Sequence, residues 1–380
     1  MRGRPVYAVG VFVLGVVAAL ATAAAPVRHS ARRPRIQPLV QRLSLQQLAG
    51  QRIVYSYAGL RPPPSLLAAI RAGEAGGVIF FAPNISSAGQ LRAVIGELQR
   101  ASLASPLHTR LLMLTDQEGG EVRRLPGAPI LSEKRIGETA NAVTAARAAG
   151  AGAGRNLQGV GINVNLAPVL DVYRQSGNFI DEFERSFSSD PGTAARLGAG
   201  FISSQQRRGV AATAKHFPGL GSASRSQNTD LGSVTLRSSL STLRAVDEAP
   251  YRSAIAAGVK LVMTSWAVYP ALDPRLPAGL SPAVIQGELR RRLGFTAVTI
   301  TDAIAAGALA QFGAVGNRAV LAASAGADLI LCATTNPDDN NPALCTAARN
   351  AIASGLARGR LGRTAAQQAA GRILALRTNP

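Results

Sequence analysis

The chain has 380 residues, 47% of them apolar and only 4% aromatic, enough for one large domain or two ordinary ones. That balance excludes a disordered chain and a multi-span membrane bundle, and it fits an α/β protein. A net charge of +20 invites a nucleic-acid reading, yet only three of the 41 basic residues are lysines and no nucleic-acid motif accompanies the scattered arginines, so the charge reads as solvated surface suited to an anionic cell envelope.

Arg2 and Arg4 precede an apolar stretch over residues 6–20, followed by Ala21-Thr22-Ala23. Basic, apolar and small residues in that order predict a secretory signal over 1–25, with cleavage after Ala23. An uncleaved membrane anchor is the alternative, because the run is nearly long enough to span. No cysteine follows it, so lipid anchoring gains no support. In either case the bulk of the protein lies outside the cytoplasm, and it touches a membrane only if the segment is retained. Residues 26–42, rich in arginine and proline, read as a linker. Ser44-Leu45-Gln46-Gln47 then matches a capping box and opens the first helix of a single domain over 43–380.

From there short apolar runs alternate with stretches of helical spacing. Strands are predicted over 52–57, 77–82, 111–115, 161–166, 211–214, 261–265, 297–301 and 328–332. Between them Leu91, Val94, Ile95 and Leu98 share one helical face, and a last helix runs near 365–376. Eight strands each followed by a helix predict a (β/α)₈ TIM-type barrel. An open doubly wound sheet is the alternative, but it needs a glycine-rich phosphate loop, and Gly119-Gly120 lacks that spacing. Cys332 and Cys345 predict a disulfide in an exported protein. Two isolated cysteines without a nearby histidine do not predict a metal site.

Three of the runs stop at polar, chemically able residues. Residues 111–115 lead into Asp116, 211–214 into Lys215-His216, and 297–301 into Asp302. Catalytic groups of a parallel barrel sit where its strands end, so these runs outline an enzyme mouth. Lys215-His216 is the least ordinary pair, because the chain uses arginine almost everywhere else and has three histidines in all. Together they supply hydrogen-bond donors suited to hydroxyls. Trp266, at the end of the sixth run, is either a stacking surface for a bound ligand or a packed rim residue.

The chain resembles glycoside hydrolase family 3, specifically its single-domain bacterial β-N-acetylhexosaminidases, from about Leu43 to Leu376. The resemblance rests on six motifs in order: Asp116-Gln117-Glu118-Gly119-Gly120, Asn165-Leu166-Ala167-Pro168-Val169-Leu170-Asp171-Val172, Arg185-Ser186-Phe187, Lys215-His216-Phe217-Pro218-Gly219, Tyr269-Pro270-Ala271-Leu272-Asp273 and Thr301-Asp302. It implies that Asp302 is the nucleophile of a retaining double displacement, and that Asp116, Arg185, Lys215 and His216 hold sugar hydroxyls. Lys215 and Arg185 near Asp302 would also keep its carboxyl ionised. No cofactor or metal is implied, since carboxylates and hydrogen bonds stabilise the oxocarbenium-like transition state. The expected partner is a carbohydrate, including glycans derived from peptidoglycan, and the expected state is a monomer.

The proton donor is where the chain departs from that pattern. Relatives carry an Asp–His pair on the loop after the fifth strand, and here those positions hold Ser226 and Asn228. Neither can give and recover a proton near neutral pH. Asp230, two residues on, becomes the expected acid/base if an apolar surrounding raises its pKa. The alternatives are a glycan-binding barrel without turnover, or a family 3 enzyme of the β-glucosidase type. Loss of a general acid costs about 10²–10⁴-fold in rate, which weakens an enzyme without abolishing it. With the nucleophile and sugar-holding set retained, an active glycosidase is the expected reading.

Overall fold

A computed structural model of the chain describes Met1, Gly3 and residues 36–380. The expected signal and most of the expected linker lie outside the described residues. The linker's last seven residues, Ile36–Arg42, form a helix that buries Val40 and packs against the final helix. Ser44 and Gln47 make both bonds of the expected capping box, and the helix Leu45–Gly50 follows.

Eight parallel strands form the barrel: β1 Ile53–Tyr55, β2 Gly77–Ile79, β3 Leu112–Thr115, β4 Val164–Asn165, β5 Ala211–Phe217, β6 Leu261–Thr264, β7 Val298–Thr301 and β8 Ile330–Leu331. They pair in chain order from β1 to β7, and β8 pairs with β1. The ring closes where Ile300 of β7 bridges Leu329, just before β8. Each strand matches one predicted from the sequence. β5 differs most, because it runs on through Lys215 and His216 rather than ending before them.

Alternation along the strands divides the core. Val54, Ile79, Leu112, Leu114, Val298 and Ile300 belong to one cluster that fills the barrel, while Ile53, Tyr55 and Val78 pack outward against helices. Both faces are buried, which explains why the strands read as continuous apolar runs. Ala88–Leu103 buries the predicted face Leu91, Val94, Ile95 and Leu98. The last helix, Arg363–Thr378, adds Ile373 and Leu376 to the inner cluster and plugs the end of the barrel where strands begin. Cys332 and Cys345 form the expected disulfide, with Cα atoms 5.5 Å apart. Among the described residues no helix is long and apolar enough to cross a membrane.

Candidate active site

The ends of the strands converge on a cavity of about 370 Å³, lined among others by Asp116, Arg124, Arg185, Lys215, His216, Asp230 and Asp302. Six of these come from distant points of the sequence to one mouth: Asp116 follows β3, Arg185 lies in the loop after β4, Lys215 and His216 end β5, Asp230 lies in the next loop and Asp302 follows β7. The sequence reading named all six. It missed Arg124, whose buried Nε has no partner.

Lys215 is the hub of one wall. Its Nζ lies 2.9 Å from Asp116 Oδ1 and 2.7 Å from Glu118 Oε1. Arg185 grips Glu118 with two parallel bonds of 2.9 Å, from Nε and Nη2. Two cations and two carboxylates therefore balance in a site that water barely reaches. Burial alone would raise the Glu118 carboxyl, but Arg185 and Lys215 outweigh it and hold it at about 2. Burial would likewise lower the Lys215 ammonium, and Asp116 and Glu118 more than offset that, so its pKa is raised. Behind this group burial, then the charge of Glu118, push Glu133 far above the usual carboxylate range, and both its oxygens accept from the Val169 amide. Glu118 was quoted in a motif but given no role from the sequence. A signal existed, because period-2 alternation in the short strand Gln117–Gly119 puts residues 116 and 118 on one face.

His216 is oriented from behind by Asp171, which is fully buried. Asp171 Oδ2 lies 2.8 Å from His216 Nδ1, and Oδ1 accepts from the amides of His216 and Leu220 at 3.3 and 2.7 Å. A carboxylate bonded to Nδ1 favours a proton there, which leaves Nε2 as the ring's acceptor. Asp171 in turn lies near a second buried acid, Asp247. Burial pushes that carboxyl up to about 7; its ion pair with Arg174 at 2.7 Å works against the rise and Asp171 adds to it.

On the opposite side Asp302 accepts from the Ala303 amide at 2.7 Å. Lys215 and Arg185 line the same cavity as Asp302, but their bonds go elsewhere: Lys215 to Asp116 and Glu118, Arg185 to Glu118. Asp230 is exposed at the rim, yet the cavity walls take enough water from its carboxyl to raise it. Burial comes first and the charge of Asp302 second, against Arg185 and His216, and the result is about 6. Its backbone is fixed by Asn228 Oδ1, which accepts from the Asp230 amide at 2.8 Å, and by the Gly307 amide, which donates to the Asp230 carbonyl at 2.8 Å.

For Trp266 the structure shows the second of its two alternatives, a packed residue. The indole is 1% exposed and absent from the cavity wall, and its Nε1 donates to the Ala303 carbonyl at 2.9 Å. It lies against Gly279, where a Cβ would stand 2.4 Å from the ring. The residue is packed core and offers no face to a sugar.

With this geometry in view, residues 45–376 match the glycosyl hydrolase family 3 N terminal domain. The chain belongs to glycosyl hydrolase family 3. It is 46% identical over 338 residues to an uncharacterized secreted glycosyl hydrolase of Arthroderma benhamiae, covering 88% of this chain and 94% of that protein. It is 34% identical over 265 residues to a beta-hexosaminidase of Thioalkalivibrio sulfidiphilus, covering 68% and 73%. Among solved structures it superposes on a family 3 beta-N-acetylglucosaminidase from a Paenibacillus species with a TM-score of 0.82 at 35% identity; the match covers 89% of this chain but only 62% of that longer one. A beta-N-acetylhexosaminidase from Beutenbergia cavernae matches with a TM-score of 0.79 at 30% identity, covering 88% and 99%. The family 3 chain is thus a glycosidase built on a (β/α)₈ barrel.

Proposed function

We propose that this chain is an exported, monomeric glycosidase that releases β-linked N-acetylglucosamine-type sugars with retention, acting on glycans of the cell wall. One observation carries the reading: Asp230 and Asp302 line the same cavity as the paired wall of Asp116, Lys215 and Arg185, and burial with the charge of Asp302 pushes the Asp230 carboxyl up to about 6. An acid with a raised pKa facing a second carboxyl group is what a retaining double displacement requires. Asp302 attacks the anomeric carbon. Asp230, protonated, gives its proton to the departing oxygen, and its carboxylate then takes one from the water that opens the ester. Asp116, Arg185, Lys215 and His216 hold the hydroxyls of the sugar being transferred. The names of the beta-hexosaminidase relatives support the sugar, and the secreted relative and the N-terminal pattern support export.

A second reading is glycan binding without turnover. It is favoured by the two altered loop positions, because neither Ser226 nor Asn228 lines the cavity. Ser226 Oγ bonds Ser224 Oγ at 3.3 Å, and Asn228 caps the turn before Asp230. The deciding experiment is nitrophenol release from 4-nitrophenyl β-N-acetylglucosaminide by the mature protein and by Asp302→Asn. This leaving group needs little acid help. We expect turnover that falls by on the order of 10⁴–10⁶-fold in the variant, as when a nucleophile is removed from a working site. No release from either protein, with the glycoside still bound, would leave the second reading in place.

A further inference from the structure

At the other end of the barrel, where strands begin, three arginines surround one aspartate. Asp328 precedes β8 and is fully buried. Its Oδ2 lies 2.7 Å from Arg290 Nη2, and its Oδ1 lies 2.7 Å from Arg372 Nη2. Arg52, also buried, donates from Nε to the Asp328 carbonyl at 3.3 Å and from Nη2 to the carbonyls of Ala323 and Ala327 at 3.2 and 2.5 Å. These groups open onto a cavity of about 290 Å³ that Gln286, Ser324 and Gln368 also line.

The charge does not balance. In the active-site wall Lys215 and Arg185 face Asp116 and Glu118, two against two. Arg244 and Arg292 face Glu248 and Glu288 in the same proportion. Here three guanidinium groups meet one carboxylate. The carbonyls around Arg52 offset part of the excess, but donors remain unspent. Arg290 Nε is buried without a partner, and neither Arg52 Nη1 nor Arg372 Nη1 makes a bond among the described residues. Burial, together with repulsion from Arg372, lowers the pKa of both Arg52 and Arg290, although Asp328 works against it. Confined positive charge, forked donors and two amides are the chemistry that recognises a tetrahedral oxyanion.

We propose that this basin binds a phosphate group, as the free ion or as a monoester. A dianion would cancel the excess of two charges and take the unspent donors. Its place gives it a structural consequence. Asp328 also accepts from the Thr299 amide at 2.9 Å, at the seam where β7 and β8 are joined by a single bridge, and β7 leads to Asp302. An anion held by Arg290 of the preceding helix, Arg52 before β1 and Arg372 of the last helix ties that seam together.

The test is calorimetric and independent of glycosidase activity. The mature protein is melted in sodium phosphate, in glycerol phosphate and in sodium chloride at matched ionic strength. Phosphate at ten times its Kd should raise Tm by about 2 °C over chloride. A rise with glycerol phosphate as well shows that monoesters are admitted; a rise with inorganic phosphate alone confines the site to the free ion. Arg372→Gln, whose side chain is 30% exposed and far from the active-site cavity, should lose the rise while keeping native turnover. An equal melting point in phosphate and chloride, or an undiminished rise in the variant, overturns the proposal. If Arg372→Gln does not fold, isothermal titration of the native protein decides, because absence of saturable phosphate heat also overturns it.

Discussion

The two sides of the cavity are built by opposite means. The wall from β3 to β5 is buried and over-determined: Glu118 alone takes three bonds from Arg185 and Lys215, and Asp171 fixes His216 through both its side chain and its backbone. The loop over 220–230 is exposed at 224–226 and at its single acid, Asp230, which is held by its backbone while its carboxyl is left free. A buried ion pair cannot lose one partner without stranding the other, so the wall resists change. An exposed loop held by turn bonds can exchange side chains at small cost. This explains how the loop can carry Ser226 and Asn228 where the family resemblance led us to expect an Asp–His pair, while the wall keeps its motifs.

The strongest way to test that contrast is to change Asp230. We expect Asp230→Asn to lower turnover about 10²–10⁴-fold on glycosides with poor leaving groups, and far less on the nitrophenyl glycoside. The native kcat/KM on a poor leaving group should fall as pH rises above about 6, because the proton to be donated is then gone, and the variant should lack that alkaline limb. Equal losses on both substrates, or an unchanged pH profile, would remove Asp230 as the acid. The fold should lose no stability, since the carboxyl makes no bond that supports the loop.

The wall should behave in the reverse way. Glu118→Gln leaves Lys215 with Asp116 as its one carboxylate partner and Arg185 with none, and we expect about 3–5 kcal/mol lost from the unfolding free energy in urea. Turnover should fall for good and poor leaving groups alike, because the sugar-holding side loses its geometry. A variant as stable as the native protein would show that the wall is less tightly coupled than its distances indicate. Trp266→Phe is milder. It removes the bond to the Ala303 carbonyl and some packing volume, which costs about 1–3 kcal/mol, with KM unchanged because the indole does not reach the cavity. A raised KM would return Trp266 to the site.

What the sequence disclosed follows the same division. The barrel was legible because strands buried on both faces read as apolar runs, and Asp116, Lys215 and Asp302 stood out where those runs stop. The end of β5 was misjudged because Lys215 is tolerated inside the strand only through Asp116 and Glu118, partners about a hundred residues away that no local pattern reveals. Trp266 was ambiguous for a related reason: its pocket exists because Gly279 lacks a side chain. The helix Ile36–Arg42 was read as linker because it depends on packing against the chain's last helix rather than on its own spacing. Asp171, by contrast, was within reach, since a lone acid in the run 169–172 must find a buried partner.

The most gradual effect, spread over a pH range, concerns Asp247, which joins the two sides. Its partner Arg174 lies beyond β4, its own helix follows the loop over 220–230, and its carboxyl lies against Gly219, where an added Cβ would stand 3.2 Å from Asp247 Oδ1. Burial raises its folded pKa to about 7, whereas an unfolded aspartate titrates near 3.9. Between about pH 4 and pH 7 the folded state therefore holds a proton that the unfolded state has released, and stability declines as pH rises through that window, by at most about 1.4 kcal/mol per pH unit from this group. Asn cannot ionise, so Asp247→Asn should remove that slope. Its stability relative to the native protein should improve steadily from pH 4.5 to 7, even if losing the charge partner of Arg174 makes it less stable throughout. Parallel stability curves for the two proteins across that range would mean that Arg174 keeps Asp247 ionised in the fold, and that the link between wall and loop is an ordinary ion pair.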